Sequence, residues 1–238
     1  MRYFVFPQRI DQKVIHFTDL QTHHMRKVLR LKPGDHIECF NDKGFEYKVE
    51  IKKLSSEGSF GVIVESIQHD IVGGRRITLL QSFPSALPKL DLVVEKCTEL
   101  GIDHFAFFKS KRSELRVLPS DEKQNRWRKI TVKASEQSRR YSIPSLLVLN
   151  NLDELDLEPY QHKILLYEKS ENLSLHSIIT ESADLDSNIV IAVGPEGGWE
   201  DAEVQKFHEL GFIDVKPFDT ILRTETAAIA ITSALKIK

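Results

Sequence analysis

The run Ile189-Val190-Ile191-Ala192 leads into Val193-Gly194-Pro195-Glu196-Gly197-Gly198-Trp199-Glu200, and a helical pattern follows. Three glycines and a proline therefore crowd one strand-to-helix junction. Glycine loses more backbone freedom on folding than any other residue, so such a cluster marks strained dihedrals or a ligand pressed against the main chain. A tight turn is the simpler reading. A second polar junction follows the last candidate strand: Phe218-Asp219-Thr220-Ile221-Leu222-Arg223-Thr224-Glu225-Thr226 opens the apolar run 227–237. Thr224 or Thr226 would cap that helix and Glu225 would favour its positive end without any ligand. In open α/β sheets, however, ligands bind beyond the carboxyl ends of the strands, and two such junctions after neighbouring strands point to a site.

The spacing excludes several chemistries. The chain has no G-x-G-x-x-G, no G-x-x-x-x-G-K-[ST] and no G-x-G at all, which argues against a dinucleotide site or a P-loop. The nine histidines form neither H-E-x-x-H nor a cluster with cysteine, so no metal site is expected, and a G-x-S-x-G nucleophile elbow is missing. Cys39 and Cys97 are expected to be buried thiols.

Charge points to a polyanion. The formal net charge of -2 conceals a basic middle third: residues 71–149 carry 15 basic against 8 acidic side chains, a net of +7. Local positive charge is what phosphate neutralisation needs, although solvated helix faces give the same count. Within a helix expected over 121–140, Arg126, Lys129, Lys133, Glu136 and Arg140 share one face, and Trp127, Ile130, Ala134 and Tyr141 form the adjacent apolar face. The stripe fits a phosphate backbone; Glu136 with Lys133 and Arg140 also fits helix-surface ion pairs.

The elements that must position these residues fall into two groups. Before residue 70, alternating runs at 2–6, 36–40, 45–51 and 61–67, separated by the turns Lys32-Pro33-Gly34-Asp35 and Asn41-Asp42-Lys43-Gly44, predict half-buried strands of a small β-barrel. Residues 71–76 read as a linker. Beyond them strands alternate with helices: buried parallel strands at 77–83, 105–108, 163–167, 189–193 and 213–217, with helical spacing in Leu90, Val93, Val94, Cys97 and Leu100 before Gly101, and in Val204, Phe207 and Leu210 before Gly211. The fold class is α/β. Hydrophobic residues at 41% suffice for a sizeable core, and neither a membrane-length apolar run nor a signal peptide is present, so a cytoplasmic protein is expected.

Five ordered motifs carry a resemblance. His23-His24-Met25-Arg26-Lys27-Val28-Leu29-Arg30-Leu31 with Gly34-Asp35; Lys96-Cys97-Thr98-Glu99-Leu100-Gly101-Ile102; Glu136-Gln137-Ser138 with Arg140 and Pro144; Gly194-Pro195-Glu196-Gly197-Gly198; and Ile221-Leu222-Arg223-Thr224-Glu225-Thr226-Ala227 run along nearly the whole chain. Together they resemble the RsmE-type family of 16S ribosomal RNA uridine-N3 methyltransferases, of the SPOUT class. The resemblance implies a PUA-like, RNA-binding β-barrel over 1–70 and a SPOUT domain over 71–238 with a carboxy-terminal trefoil knot, a rare exception to unknotted chains. It implies S-adenosyl-L-methionine as methyl donor, held by Leu166, Tyr167 and Glu168, by Gly194, Pro195, Glu196, Gly197 and Gly198, and by Phe218, Ile221, Leu222, Arg223 and Thr224. It also implies 16S ribosomal RNA in the small subunit as partner, and a homodimer. His24, Arg26, Lys27, Arg30 and Lys32 become candidate phosphate contacts, beside Arg126, Lys129, Lys133 and Arg140. Where family members have an aromatic residue and then serine after the glycines, this chain has Trp199 and then Glu200-Asp201, which alters the helix cap.

Methylating uridine at N3 requires loss of the N3 proton, because a neutral imide nitrogen attacks a methyl sulfonium poorly. Arg223 is the candidate to stabilise the anion and Glu225 to take the proton; Arg140 and Glu136 would reach the same cleft from a second subunit. Methylation of transfer RNA or of a ribose, and a non-catalytic RNA-binding or assembly role, are the alternatives.

Overall fold

The computed structural model describes residues 1–70, 75–115, 117–171 and 187–237. Of the expected linker, 71–74 lie outside the described residues, and Arg76 already begins a strand. The chain divides into two compact units, Met1–Val72 with Ser135–Ile143, and Gly73–Ala134 with Pro144–Lys238.

In the first unit the strands β1 (Arg2–Phe4), β2 (Ile10–Asp11), β3 (Val14–His16), β4 (His36–Phe40), β5 (Phe45–Ser55) and β6 (Gly58–Gln68) form a sheet in the order β1-β4-β5-β6-β3-β2, and α1 (Asp19–His23) follows β3. Only β1 and β4 pair in parallel. Alternation sets the inner face: Tyr47, Val49 and Ile51 of β5 are buried with Tyr3, Ile15, Ile37 and Cys39, while the intervening Lys48 is exposed. Among the described residues the hydrogen-bond ladder ends at β1 and β2 instead of closing. β2 and β3 escape a sequence reading because two or three residues show no period. Residues 135–143 join this unit through particular bonds: the Phe4 amide donates to Glu136 Oε1 at 2.9 Å, the Ile143 amide donates to Asp42, and Tyr141 stacks on His69 with ring centroids 3.6 Å apart. The Arg2 guanidinium lies between the rings of Phe40 and Tyr141, at 4.7 and 4.6 Å.

The second unit is built on a parallel sheet in the order β12-β10-β11-β7-β8-β9, with β7 (Arg76–Ser82), β8 (His104–Phe108), β9 (Ser145–Val148), β10 (His162–Leu166), β11 (Asn188–Val193) and β12 (Ile213–Val215). Its helices are α2 (Pro88–Leu100), α3 (Asp121–Gln137, whose residues to Ala134 belong here), α4 (Asp201–Glu209) and α5 (Thr224–Lys236). Burial on both faces explains the near-continuous apolar strands. Leu79, Ile189 and Ile191 pack with α2 and α5 through Leu90, Val94, Ile231 and Leu235, whereas Leu80, Val190 and Ala192 pack with α4 through Val204 and Phe207. Left-handed Gly101 (φ +101°) closes α2. The edge strand β9 is missed by pattern because it buries Leu146 and exposes Leu147. Both cysteines are free and buried; burial pushes the Cys97 thiol up to about 12, against a hydrogen bond from Thr232.

Candidate functional site

Three loops leave the carboxyl ends of β10, β11 and β12 and enclose a cavity of about 410 Å³. Leu166, Tyr167 and Glu168 line it from the first loop, Gly194 to Gly198 from the second, and Phe218, Ile221, Leu222, Arg223 and Thr224 from the third, so the thirteen residues expected at a cofactor stand together. Trp199, Val215 and Ala227 complete the wall. This volume falls within the range of small-molecule sites, whose walls are mainly apolar with a few placed polar groups.

Packing fixes the glycine loop. Trp199, 2% exposed, stacks on Phe108, meets Phe207 edge-on and donates from Nε1 to the Leu166 carbonyl at 2.9 Å, which ties the first two loops together. A Cβ on Gly194 would lie 3.1 Å from the Trp199 ring, so the indole and the glycine require one another. Gly198 has φ +67°, a left-handed conformation, and its Cβ would lie 3.1 Å from Glu168 Oε1. At Gly197 a Cβ would meet Arg112 Cβ at 3.2 Å, and Arg112 Nη1 donates to the Gly197 carbonyl at 2.9 Å. Glu200 takes the N-cap position of α4, and its amide donates to Glu203 at 3.0 Å, which replaces the serine cap.

Side chains distant in sequence hold the loops from behind. Thr224, buried at the start of α5, donates to the Gly194 carbonyl at 2.6 Å and accepts from Gln81 Nε2 at 2.9 Å. Glu196 turns its carboxylate to the Ser85 amide (2.9 Å), the Ser85 hydroxyl (2.8 Å) and the Lys89 ammonium. Burial alone would raise the Glu196 carboxyl, but the hydrogen bonds from Lys89 and Ser85 outweigh it and hold the group at about 2. Arg223 is exposed at the N-cap of α5, and Glu225 follows in the first turn with Oε2 buried and without a hydrogen bond. Ser85, Lys89, Gln81 and Arg112 gave no signal in the sequence, because each acts through a partner some 85 to 143 residues away.

The structure distributes the remaining candidates. Arg126 Nε donates to Asp91 at 3.0 Å, and the same carboxylate accepts from Trp127 Nε1 and faces Lys123, so one cation of the expected stripe is paired. Lys129 and Lys133 are exposed. The expected helix over 121–140 ends at Gln137, and Arg139 adopts φ +59°, so Arg140 and Tyr141 lie beyond the helix and off its faces; a left-handed residue breaks the 3.6 period. His24 Nδ1 meets the Tyr3 hydroxyl at 2.8 Å, next to Arg26 and Lys27 in one π-helical turn, and Arg30 follows with φ +55°. Among the described residues no group of three or more His, Cys, Asp or Glu is placed to hold a metal, and no helix is long and apolar enough to cross a membrane.

Residues 74–236 match the RNA methyltransferase domain family, and residues 17–64 match the RNA methyltransferase PUA domain family. Fold and site thus define an RNA methyltransferase. The chain is 30% identical to ribosomal RNA small subunit methyltransferase E of Bacillus subtilis, over 98% of this chain and 95% of that one. It is 34% identical to the protein of the same name from Aquifex aeolicus, over 80% and 82% of the two chains. A crystal structure of ribosomal RNA small subunit methyltransferase E from Neisseria gonorrhoeae, bound to S-adenosyl methionine, superposes with a TM-score of 0.85 at 29% identity, covering 99% and 96%. The chain belongs to the ribosomal RNA small subunit methyltransferase E family.

Proposed function

We propose that this protein uses S-adenosylmethionine to methylate N3 of a specific uridine in small-subunit (16S) ribosomal RNA, on the assembled subunit. The observation that carries the reading is the cavity at the ends of β10, β11 and β12, which gathers the glycine loop and the segment from Phe218 to Thr224 around one volume. Its chemistry suits the cofactor. Gly194, Gly197 and Gly198 present main chain without side chains, Leu166 and Leu222 offer apolar contact to an adenosyl group, and Glu168 brings a carboxylate to the wall. When bound, the cofactor supplies an electrophilic methyl group on a sulfonium.

The chain's own residues must then do two things to the base. Arg223, exposed at the cavity wall, is the cation assigned to the charge that a deprotonated uracil spreads over N3 and the flanking carbonyl oxygens. Glu225, two residues on in the first turn of α5, is the carboxylate assigned to receive the N3 proton. N3 lies on the Watson–Crick edge, so the target uridine is taken unpaired or drawn out of its stack. The reading extends to a cytoplasmic homodimer with a knotted carboxy-terminal domain, in which Glu136 and Arg140 reach the cleft from the second subunit. Calorimetric titration with S-adenosylmethionine, followed by transfer of a labelled methyl group to small-subunit ribosomal RNA, tests it. Saturable binding and transfer are expected, and binding without transfer would leave a non-catalytic RNA-binding protein.

A further inference from the structure

The segment Lys109-Ser110-Lys111-Arg112-Ser113 follows β8 and carries three cations in four residues. All three side chains are exposed, and none forms an ion pair with a carboxylate among the described residues. Such a run on a loose surface loop would be ordinary solvated charge. This loop is pinned. The hydroxyl of Ser82 meets those of Ser110 and Ser113 at 2.6 and 2.9 Å, Ser113 donates to the Phe83 carbonyl at 2.9 Å, and all three serines are buried. Between them the Lys111 amide donates to Glu203 at 2.9 Å. The fold therefore holds three cations on one pinned loop with none of their side chains ion-paired among the described residues, and an outside anion would complete the arrangement.

Arg112 connects this loop to the cavity. One guanidinium nitrogen donates to the Gly197 carbonyl, and the stem covers the α-carbon face of that glycine. A planar fork that spends one nitrogen on a carbonyl keeps others for phosphate oxygens, which Lys109 and Lys111 meet as point charges. The α3 stripe is weaker by the same criterion, because Asp91 already neutralises Arg126. We propose that Lys109, Lys111 and Arg112 form a phosphate-contact site that seats the RNA strand at the edge of the cavity, beside the glycine loop. The proposal rests on the RNA methyltransferase reading above and deepens it.

The test uses the full-length protein and small ribosomal subunits whose RNA is unmethylated, with binding followed across salt concentrations and methyl transfer followed in parallel. Lys109→Gln with Lys111→Gln leaves the serine cluster, the Lys111 amide and Arg112 in place. Weaker RNA binding is expected, with a salt slope lower by about 2, one for each lysine that no longer neutralises a phosphate, and unchanged melting temperature and cofactor affinity. Lys129→Gln with Lys133→Gln serves as comparison, and a smaller effect is expected there. An unchanged slope in the loop variant, in a protein whose wild type still methylates the subunit RNA, overturns the loop site and leaves the function standing. A lowered slope without methyl transfer by the wild type supports the loop as an RNA-binding element and sinks the methylation reading instead. A wild type that binds no RNA overturns both.

Discussion

Arg223 is the residue on which the chemistry turns, since it stands on the cavity wall at the head of α5 with its side chain exposed. If its fork stabilises the uracil anion, Arg223→Lys keeps the charge and loses the geometry that spans two acceptors. Single-turnover rate is then expected to fall about a hundredfold or more, with cofactor affinity little changed and partial recovery as pH rises, comparable to losing one oxyanion donor. A lower melting temperature with weaker cofactor binding and no pH rescue would make Arg223 a structural residue. Glu196 behaves differently, because its carboxylate is turned to Ser85 and Lys89. Its folded pKa of about 2 lies below the ordinary carboxylate value, so its contribution to stability is full above about pH 4.5 and is lost as pH falls towards 2. Thermal unfolding of wild type and Glu196→Gln should therefore differ most at neutral pH and converge as pH falls to about 2; a gap that widens in acid would contradict the assignment.

At the scale of elements, the sequence was legible where burial is one-sided or complete. The long β5 alternates, the β7 and β11 runs are apolar throughout, and Gly101 closes α2, so each shows its place by pattern alone. Elements too short or set at an edge, such as β2, β3 and β9, carry no period. The cavity loops were legible through glycine and through family motifs, but their supports were not, because nothing in the spacing links Ser85 and Lys89 to Glu196 or Gln81 to Thr224. Glycine itself supports a prediction. Gly198→Val must place a branched side chain at φ +67° and against Glu168, a strain of roughly 1–2 kcal/mol before any clash. Cofactor affinity should fall at least about tenfold in a folded variant, and wild-type affinity by calorimetry would show that the loop does not need that conformation. Gly197→Val should also weaken cofactor binding, here because the new side chain displaces Arg112 from the Gly197 carbonyl.

For the whole molecule, the cavity draws its walls from three loops and the first turns of α5, which packs on α2 and β7 and ends with Lys236 donating to Asp103 at 2.9 Å and to the Arg75 carbonyl at 3.0 Å. A ligand that bridges elements so far apart in sequence binds the folded chain and not the unfolded one. S-adenosylmethionine at a hundred times its Kd should add about 2.7 kcal/mol of stability and raise the melting temperature by several degrees, and no shift would place the cofactor elsewhere. The most direct measurement is nucleoside mass spectrometry of small-subunit ribosomal RNA after reaction with the purified protein and S-adenosylmethionine. The account predicts 3-methyluridine as the new nucleoside, produced by wild type and reduced about a hundredfold or more in rate by Arg223→Lys. A methyl group found on a ribose or on another base, or none at all despite bound cofactor, would contradict it.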